Sequence, residues 1–289
     1  MILGERFGGT AFLTAIAMIA FAANSLLCRM ALGDGAVDAA SFATIRVAAG
    51  AFILTLIVLP EWRSRGRDKT DFVAVAMLFL YMVFFSFAYL SLPAGTGALV
   101  LFGSVQLTMF AAAIVDGERF NGLSWLGLAF ALTGLVYLVS PGISAPDPLG
   151  TMLMAIAGVA WGFYSLRGRH AVSALGTTAN CFVYSLPLVL IVSVIFIGDM
   201  HTTPKGIVLA VLSGAIASGL GYVVWFAALP GLTAGRAATV QLSVPVIAAF
   251  GGILLLSEAI TVRLLIASVA TLGGIWIVLA QRVVPDSAE

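Results

Sequence analysis

The feature that most constrains this chain is a series of long apolar segments separated by short polar links. A helix of roughly 20 apolar residues spans the hydrocarbon core of a bilayer. Ten segments of this kind can be counted: 10–31, 39–59, 72–92, 95–115, 122–140, 150–168, 178–198, 206–228, 233–255 and 262–281. Only 9% of the 289 residues are charged, whereas a soluble domain carries about 25%. The sequence therefore predicts an all-α membrane protein with ten transmembrane helices.

The links between the segments carry turn-forming residues, such as those at 33–35 and 141–148, and leave no room for a further domain. The first segment leads directly into further spans, so we interpret it as a retained helix and not a cleaved signal peptide. A net charge of +1 with no basic face argues against a nucleic-acid partner. Cys28 and Cys181 lie inside apolar segments and are interpreted as buried hydrophobic side chains, not as a disulfide or a metal site.

Lysine and arginine residues are distributed unevenly over the two sides of the predicted bundle. With the N-terminus inside, ten of them fall on the cytoplasmic side: Arg6, Arg63, Arg65, Arg67, Lys69, Arg119, Arg167, Arg169, Arg236 and Arg282. The opposite side holds Arg29, Lys205 and Arg263. Because basic residues are enriched in cytoplasmic loops, this bias predicts that both termini are cytoplasmic and that the protein lies in the cytoplasmic membrane.

The two halves of the sequence resemble each other at an offset of 140 residues, which holds through five spans without a gap. The matches include Leu13–Ala17 with Leu153–Ala157, Phe85 with Trp225, Glu118 with Glu258, and Gly134 with Gly274. Five is an odd number, so the second copy must enter the membrane from the opposite side. The offset therefore predicts two inverted five-helix repeats, 1–141 and 142–289, a recurrent design of secondary transporters. This design favours a transporter over an inert scaffold.

Ionisable residues are almost absent from membrane depth, because all 13 acidic residues fall in loops, tails or helix ends. Proton coupling through a buried carboxylate and a permanently cationic substrate are both disfavoured. Glu118 and Glu258 each precede a span and are interpreted as caps of its N-terminus. Arg46 lies about two turns into span 2. We interpret it as a structural arginine that snorkels or bonds helix-end carbonyls, with a counter-charge for a substrate carboxylate as the alternative.

Three groups of residues carry a resemblance to a known family. Residues 41–50 resemble the family's span-2 arginine motif, with Val47 in place of an aromatic residue; residues 117–134 resemble the region of spans 4 and 5; and Pro245 followed by Glu258 resembles spans 9 and 10. The chain resembles the drug/metabolite transporter superfamily, in its ten-helix EamA-type branch, over nearly its whole length. Within that branch it looks closest to the bacterial aromatic amino-acid exporters.

The resemblance implies that spans 1, 3, 4, 6, 8 and 9 surround a central cavity, and helical spacing then selects the side chains that face it. The candidate substrate-binding residues are Asn24, Tyr81, Phe85, Phe102, Gln106, Trp161, Tyr164, Ser218, Tyr222, Gln241 and Ser243. Aromatic faces stack on an aromatic substrate, with lipid-facing or packing roles as the alternative. An unpaired amide in lipid is costly, so the three amide side chains are expected to face inward. The pair Gly219-x-Gly221 is a candidate bending point.

We therefore predict a secondary transporter that moves amino acids, in particular aromatic ones, by alternating access. Its partners are a neutral or zwitterionic small molecule and the lipid bilayer, and it is a monomer or weak dimer. The alternative is an exporter of other hydrophobic drugs or metabolites. A channel would need a more continuous polar lining. An intramembrane enzyme is a remote alternative, since the spans hold no His-Glu-x-x-His, paired aspartates or Ser–His pair, and we expect no catalytic residue, metal or cofactor.

Overall fold

A computed structural model describes residues 2–67, 69–115, 117, 120–140, 142, 145–168, 173–232 and 240–280. Its membrane-length and shorter apolar helices are α1 (Ile2–Gly33), α2 (Ala39–Arg65), α3 (Phe72–Ala88), α4 (Ala94–Val115), α5 (Gly122–Val139), α6 (Pro148–Gly168), α7 (Ala174–Ile195), α8 (Pro204–Ala228), α9 (Ser243–Leu256) and α10 (Val262–Ala280). Short 3₁₀ turns lie at Ile197–Asp199 and Leu229–Gly231. Among the described residues, the β-structure is one isolated bridge between Val37 and Thr202.

The predicted all-α class is confirmed, and eight helices in the described part are long and apolar enough to cross a membrane. α3 and α9 are shorter. α3 ends at Ala88 and not at the predicted residue 92, because a turn leads from there into Pro93. A proline disfavours the α-helical conformation of the residue before it. Residues 233–239 of predicted span 9, and Glu118, lie outside the described residues.

Polar residues in the links begin several helices by capping their free amides. Asp38 Oδ1 accepts from the backbone N–H of Ser41 at 2.8 Å at the start of α2. Asn121 caps α5 in the same way through Ser124. Such caps contribute about 1 kcal/mol each. Polar residues of the links thus define where these two helices start.

α5 and α10 pack closely through small residues. A Cβ added to Gly134 would lie 2.5 Å from Thr271 Oγ1, and one added to Gly274 would overlap the backbone of Gly127 and Ala131. Thr271 also donates to the carbonyl of Ala131 at 3.4 Å. Small residues allow two helix backbones to approach this closely in a membrane protein.

The remaining helices surround the middle of the bundle. α3 packs on α6, α8 packs on α1, α4 packs on α6 and α9, and α1 also contacts α9. α2 and α7 pack on each other, and α2 also lies against the middle of α8. Cys28 and Cys181 are buried free thiols, as interpreted from the sequence. The centre of the bundle is therefore formed mainly by α1, α3, α4, α6 and α8.

Candidate functional site

An aromatic cluster lies where α1, α3, α6 and α8 meet. The Trp161 ring lies 4.7 Å from the Tyr81 ring and stacks on Tyr222 at 5.3 Å, with the planes 26° apart. Phe21 meets Tyr222 edge-on at 5.9 Å, and Phe85 lies 5.3 Å from Tyr81. Rings at these separations stabilise one another, and their remaining faces and edges can receive a further aromatic group.

A small cavity of about 20 Å³ lies at this cluster, with room for about one water molecule. Its lining consists of Phe21, Asn24, Ser25, Tyr81, Phe85, Leu101, Phe102, Trp161, Ala217, Ser218 and Tyr222. The lining is aromatic and aliphatic, with a few neutral polar groups between. An amino acid does not fit into this volume. The surrounding helices must therefore separate before the cavity can admit one.

Seven of the eleven predicted site residues line this cavity: Asn24, Tyr81, Phe85, Phe102, Trp161, Ser218 and Tyr222. The other four do not line it. The hydroxyl of Tyr164 shares a 2.8 Å hydrogen bond with Thr178, and that of Ser243 donates to the carbonyl of Val240, just before α9. Gln106 and Gln241 are buried at 6% and 9% exposure, as expected for amides that avoid lipid.

Sequence reasoning missed four lining residues: Phe21, Ser25, Leu101 and Ala217. Phe21 lies 140 positions before Trp161, so the repeat offset contained the signal for it. Ser25 follows the predicted Asn24 directly. Leu101 and Ala217 have no chemistry that separates them from the other apolar residues of their spans.

The amide of Asn24 joins three helices at the cavity. Its Oδ1 accepts from the Ser213 hydroxyl at 2.6 Å, and its Nδ2 donates to the Tyr81 hydroxyl at 3.4 Å. These contacts link α1, α8 and α3. They also satisfy much of the hydrogen-bonding capacity of a buried amide.

Arg46 does not snorkel, and the hydrogen bonds found for it run to side-chain hydroxyls, so the predicted partners of this arginine were wrong. Its side chain is 0% exposed. Nη2 donates to the Tyr81 hydroxyl at 3.1 Å, Nε donates to the Ser218 hydroxyl at 3.4 Å, and the guanidinium lies 4.8 Å from the Phe85 ring centre. The cause is helix packing: Gly214 of α8 lies directly against the backbone of Arg46, and the side chain is held inside the bundle.

The middle of α8 departs from α-helical geometry. Leu212–Leu220 forms a π-helix, a rare conformation that is frequent at functional sites. Ser213 and Ser218, which bond Asn24 and Arg46, both belong to it. The predicted bending point at Gly219-x-Gly221 lies at its C-terminal end.

Glu258 caps a different helix from the one predicted. Its Oε2 accepts from the backbone N–H of Ala94 at 2.9 Å, at the start of α4, and not from the amides of α10. Its Oε1 pairs with Arg29 Nε at 3.1 Å. The chain reverses at Ser257, whose φ is 53°, and this turn directs the carboxylate towards α4. Arg29 also donates to two carbonyls just beyond the end of α3. One carboxylate thus holds several elements together.

Asp71 forms a second junction, between the start of α3 and the end of α6. Its carboxylate pairs with Arg167 at 2.5 Å and accepts from the backbone amides of Val73 and Ala74. The Arg167 hydrogen bond is the largest effect and, together with these amides, holds the pKa of Asp71 below its usual range, against the opposing effect of burial. Folding therefore favours the deprotonated form of Asp71.

The chain is similar to a family of transporters, to several proteins of known sequence and to a solved structure. Residues 148–280 match the EamA-like transporter family. An uncharacterized protein of Pseudomonas aeruginosa is 47% identical over 274 residues, covering 95% of this chain and 96% of the relative. A probable amino-acid metabolite efflux pump of Escherichia coli K12 is 29% identical over 226 residues, covering 70% and 75%. One solved crystal structure superposes with a TM-score of 0.66 at 17% identity, covering 94% and 97%, which shows a shared fold.

These similarities agree with the apolar helices and with the family resemblance in the sequence, which is confirmed. The similarity to the Pseudomonas protein runs through nearly the whole chain. The family match, the relative described as an efflux pump and the eight apolar helices that the structure describes together identify a multi-pass membrane transporter and not an enzyme. The chain belongs to the EamA-like transporter family.

Proposed function

We propose that this transporter exports amino acids, in particular aromatic ones, across the cytoplasmic membrane. The observation that carries the proposal is the position of Trp161, which contacts Tyr81 and Tyr222 at a cavity in the centre of the bundle. An aromatic side chain entering there would find ring faces on several sides. The Escherichia coli relative described as a probable amino-acid metabolite efflux pump supports this class of substrate.

The proposed architecture is ten spans in two inverted repeats, residues 1–141 with α1–α5 and residues 142–289 with α6–α10. The helix contacts support it, since they fall into symmetric sets. Helices that hold the same position in the two proposed repeats contact each other: α2 with α7, α4 with α9 and α5 with α10. Two further sets of extensive contacts form exchanged pairs: α3 with α6 and α8 with α1, then α4 with α6 and α9 with α1.

Contacts between single residues of α5 and α10 support the same symmetry. Gly127 lies against Gly274, and Gly134 lies against Ala267. At the offset of 140, Gly127 corresponds to Ala267 and Gly134 corresponds to Gly274. Each of the two contacts therefore becomes the other when the repeats are exchanged. A two-fold axis in the membrane plane, passing between these helices, accounts for this. The ten basic residues on one side against three on the other support cytoplasmic termini.

Transport would proceed by alternating access, in which one repeat moves against the other around the cavity. The small volume of the cavity supports this, since a substrate requires it to widen. The pair Arg29–Glu258 joins elements of both repeats at one end of the bundle, and would separate when that end opens. No cofactor or metal enters this mechanism, and a monomer contains the whole site.

The test uses purified full-length protein in proteoliposomes loaded with labelled phenylalanine or tryptophan. We expect saturable efflux that is accelerated by the same unlabelled amino acid outside, which distinguishes a carrier from a channel. Correctly folded protein that moves neither amino acid would overturn the proposed cargo. Saturable movement of a hydrophobic drug in its place would support the alternative of a drug or metabolite exporter.

A further inference from the structure

The buried guanidinium of Arg46 is a charged group beside the site that the proposed stacking of an aromatic group does not use. Its Nη1 has no hydrogen-bond partner. Tyr81, Phe85 and Ser218, which contact the guanidinium, all line the cavity. A widening of the cavity that moves these side chains would therefore bring the guanidinium into contact with a substrate.

The positive charge of Arg46 has no carboxylate beside it in the part of the chain that the structure describes. Its partners there are two hydroxyls and the rings of Tyr81 and Phe85. Ring contacts and neutral hydrogen bonds offset part of the desolvation of a buried cation, but an unpaired charge in the interior remains unfavourable. The position at the repeat offset is Leu186, so repeat symmetry does not explain the arginine.

The polar groups around Arg46 can donate hydrogen bonds to a ligand. The hydroxyl oxygens of Tyr81 and Ser218 accept from the guanidinium, which leaves their protons to donate to another group. Asn24 already uses its Oδ1 to accept from Ser213, and its Nδ2 is a donor. A charged guanidinium flanked by hydroxyl donors matches the acceptor-only oxygens of a carboxylate.

We propose that Arg46 binds the carboxylate of the cargo and that the site selects aromatic monocarboxylates, for which an amino group is dispensable. This inference rests on the proposed function and narrows its substrate class. The described residues place no acidic side chain at the cavity. An ammonium group would therefore gain no ionic partner there and would be repelled by Arg46. A deaminated acid should bind at least as well as the amino acid.

The experiment measures ligand-induced stabilisation of the purified full-length transporter in detergent, from which an apparent Kd follows. The ligands are phenylalanine, 3-phenylpropionate, 2-phenylethylamine and phenylalaninamide. We expect 3-phenylpropionate to bind as tightly as phenylalanine or more tightly. The two compounds without a carboxylate should bind about tenfold more weakly or worse, which corresponds to the loss of one charge-assisted hydrogen bond.

Three variants locate the effect. Arg46→Gln should reduce the preference for the acid over the amine to about threefold or less, whereas Arg46→Lys, which keeps the charge, should retain part of it. Arg263→Gln removes a positive charge that bonds the carbonyls of Leu138 and Ser140, away from the cavity, and should leave the preference unchanged. The comparison of ligands on the unaltered protein holds even if an Arg46 variant does not fold.

The outcomes separate this inference from the proposed function. Efflux of phenylalanine together with equal binding of the acid, amine and amide overturns the role of Arg46 and leaves the amino-acid exporter intact. Stabilisation by 3-phenylpropionate through Arg46 without efflux of phenylalanine overturns the amino-acid cargo and supports the carboxylate site. The absence of stabilisation by every carboxylate tested overturns the inference.

Discussion

Arg29 and Glu258 are 229 positions apart in sequence, and their side chains meet at 3.1 Å between Nε and Oε1. The second carboxylate oxygen accepts from the first amide of α4. The pair thereby connects the end of α1, the start of α4 and the turn before α10. Both side chains are partly exposed, at 23% and 16%, so the contact lies close to one end of the bundle and can be broken by modest helix movements.

Replacing Glu258 with alanine should favour the state that is open at this end, because both the ion pair and the cap of α4 are lost. The measurement is the rate at which a cysteine placed at the cavity residue Ser25 reacts with a membrane-impermeant maleimide. The native cysteines are buried, so background labelling should be low. We expect a faster reaction in the Glu258→Ala protein.

Asp34→Ala provides the matched control for that experiment. It breaks a pair with Lys205 at the same end of α1, but both of those side chains are more than half exposed. Pairs of this kind contribute about 0–1 kcal/mol. Labelling at position 25 should not change, and equal labelling in all three proteins would contradict a closing role for Glu258.

Trp161→Ala should weaken the binding of aromatic substrates, because it removes a ring that contacts both Tyr81 and Tyr222. An aromatic contact contributes about 0.5–1.5 kcal/mol beyond burial. We expect KM for phenylalanine efflux to rise about threefold to tenfold, with less change for Trp161→Phe. Trp276→Ala, which removes an indole that is 57% exposed on α10, should leave KM unaltered. A KM that is the same in all four proteins would remove Trp161 from the site.

The packing of α5 on α10 can be tested with two adjacent glycines. Leucine at Gly274 would meet the backbone of Gly127 and Ala131, whereas a Cβ at Gly273 has nothing within 4 Å. Overpacking costs about 1–3 kcal/mol. Gly274→Leu should therefore lower the thermal midpoint in detergent by several degrees, while Gly273→Leu should not. Equal midpoints would show that the two helices separate easily.

Asp71→Asn should destabilise the protein by up to about 1 kcal/mol at pH 7, because it removes the charge that pairs with Arg167 and favours the N-terminus of α3, while the amide oxygen can still accept from the same backbone amides. The pKa of Asp71 is lowered in the folded state. Its contribution is therefore present above the ordinary aspartate pKa of about 3.9 and is lost as the pH falls through the lower folded value. Thermal midpoints measured from pH 7 downwards should keep their difference to about pH 5 and converge only below about pH 4.

Hydropathy was sufficient to predict the helices, because a segment that spans lipid must be apolar along nearly its whole length. The interior aromatics of α3 and α6 were also predicted, because the family resemblance placed these spans at the cavity and helical spacing selected Tyr81, Phe85 and Trp161. Hydropathy did not give the length of α3 correctly, because its last turn depends on the geometry around Pro93.

The partners of charged side chains could not be predicted, because they depend on which helices become neighbours. Glu258 is close in sequence to α10 but close in space to the start of α4. Arg46 could reach the membrane surface if α2 were isolated, and only its packing against α8 holds the guanidinium beside Tyr81 and Ser218. The π-helix left no signature in residue type, since its hydrogen-bond pattern does not require particular side chains.

The π-helix in α8 locally changes the sequence offset that relates the aromatic residues of the cavity. Phe21 and Trp161 differ by 140 positions, but the two tyrosines that contact Trp161, Tyr81 and Tyr222, differ by 141. At 140 the partner of Tyr81 is Gly221, which packs towards α1. The π segment thus acts as a single inserted residue that the helix absorbs without breaking. The offset of 141 is local to this stack, because the contacts of α5 with α10 keep 140. Deleting one residue between 212 and 220 should therefore restore a regular α-helix and leave Tyr222 facing Trp161. The same deletion in the regular helix at 204–211 would turn the residues after it by roughly 100° around the helix axis.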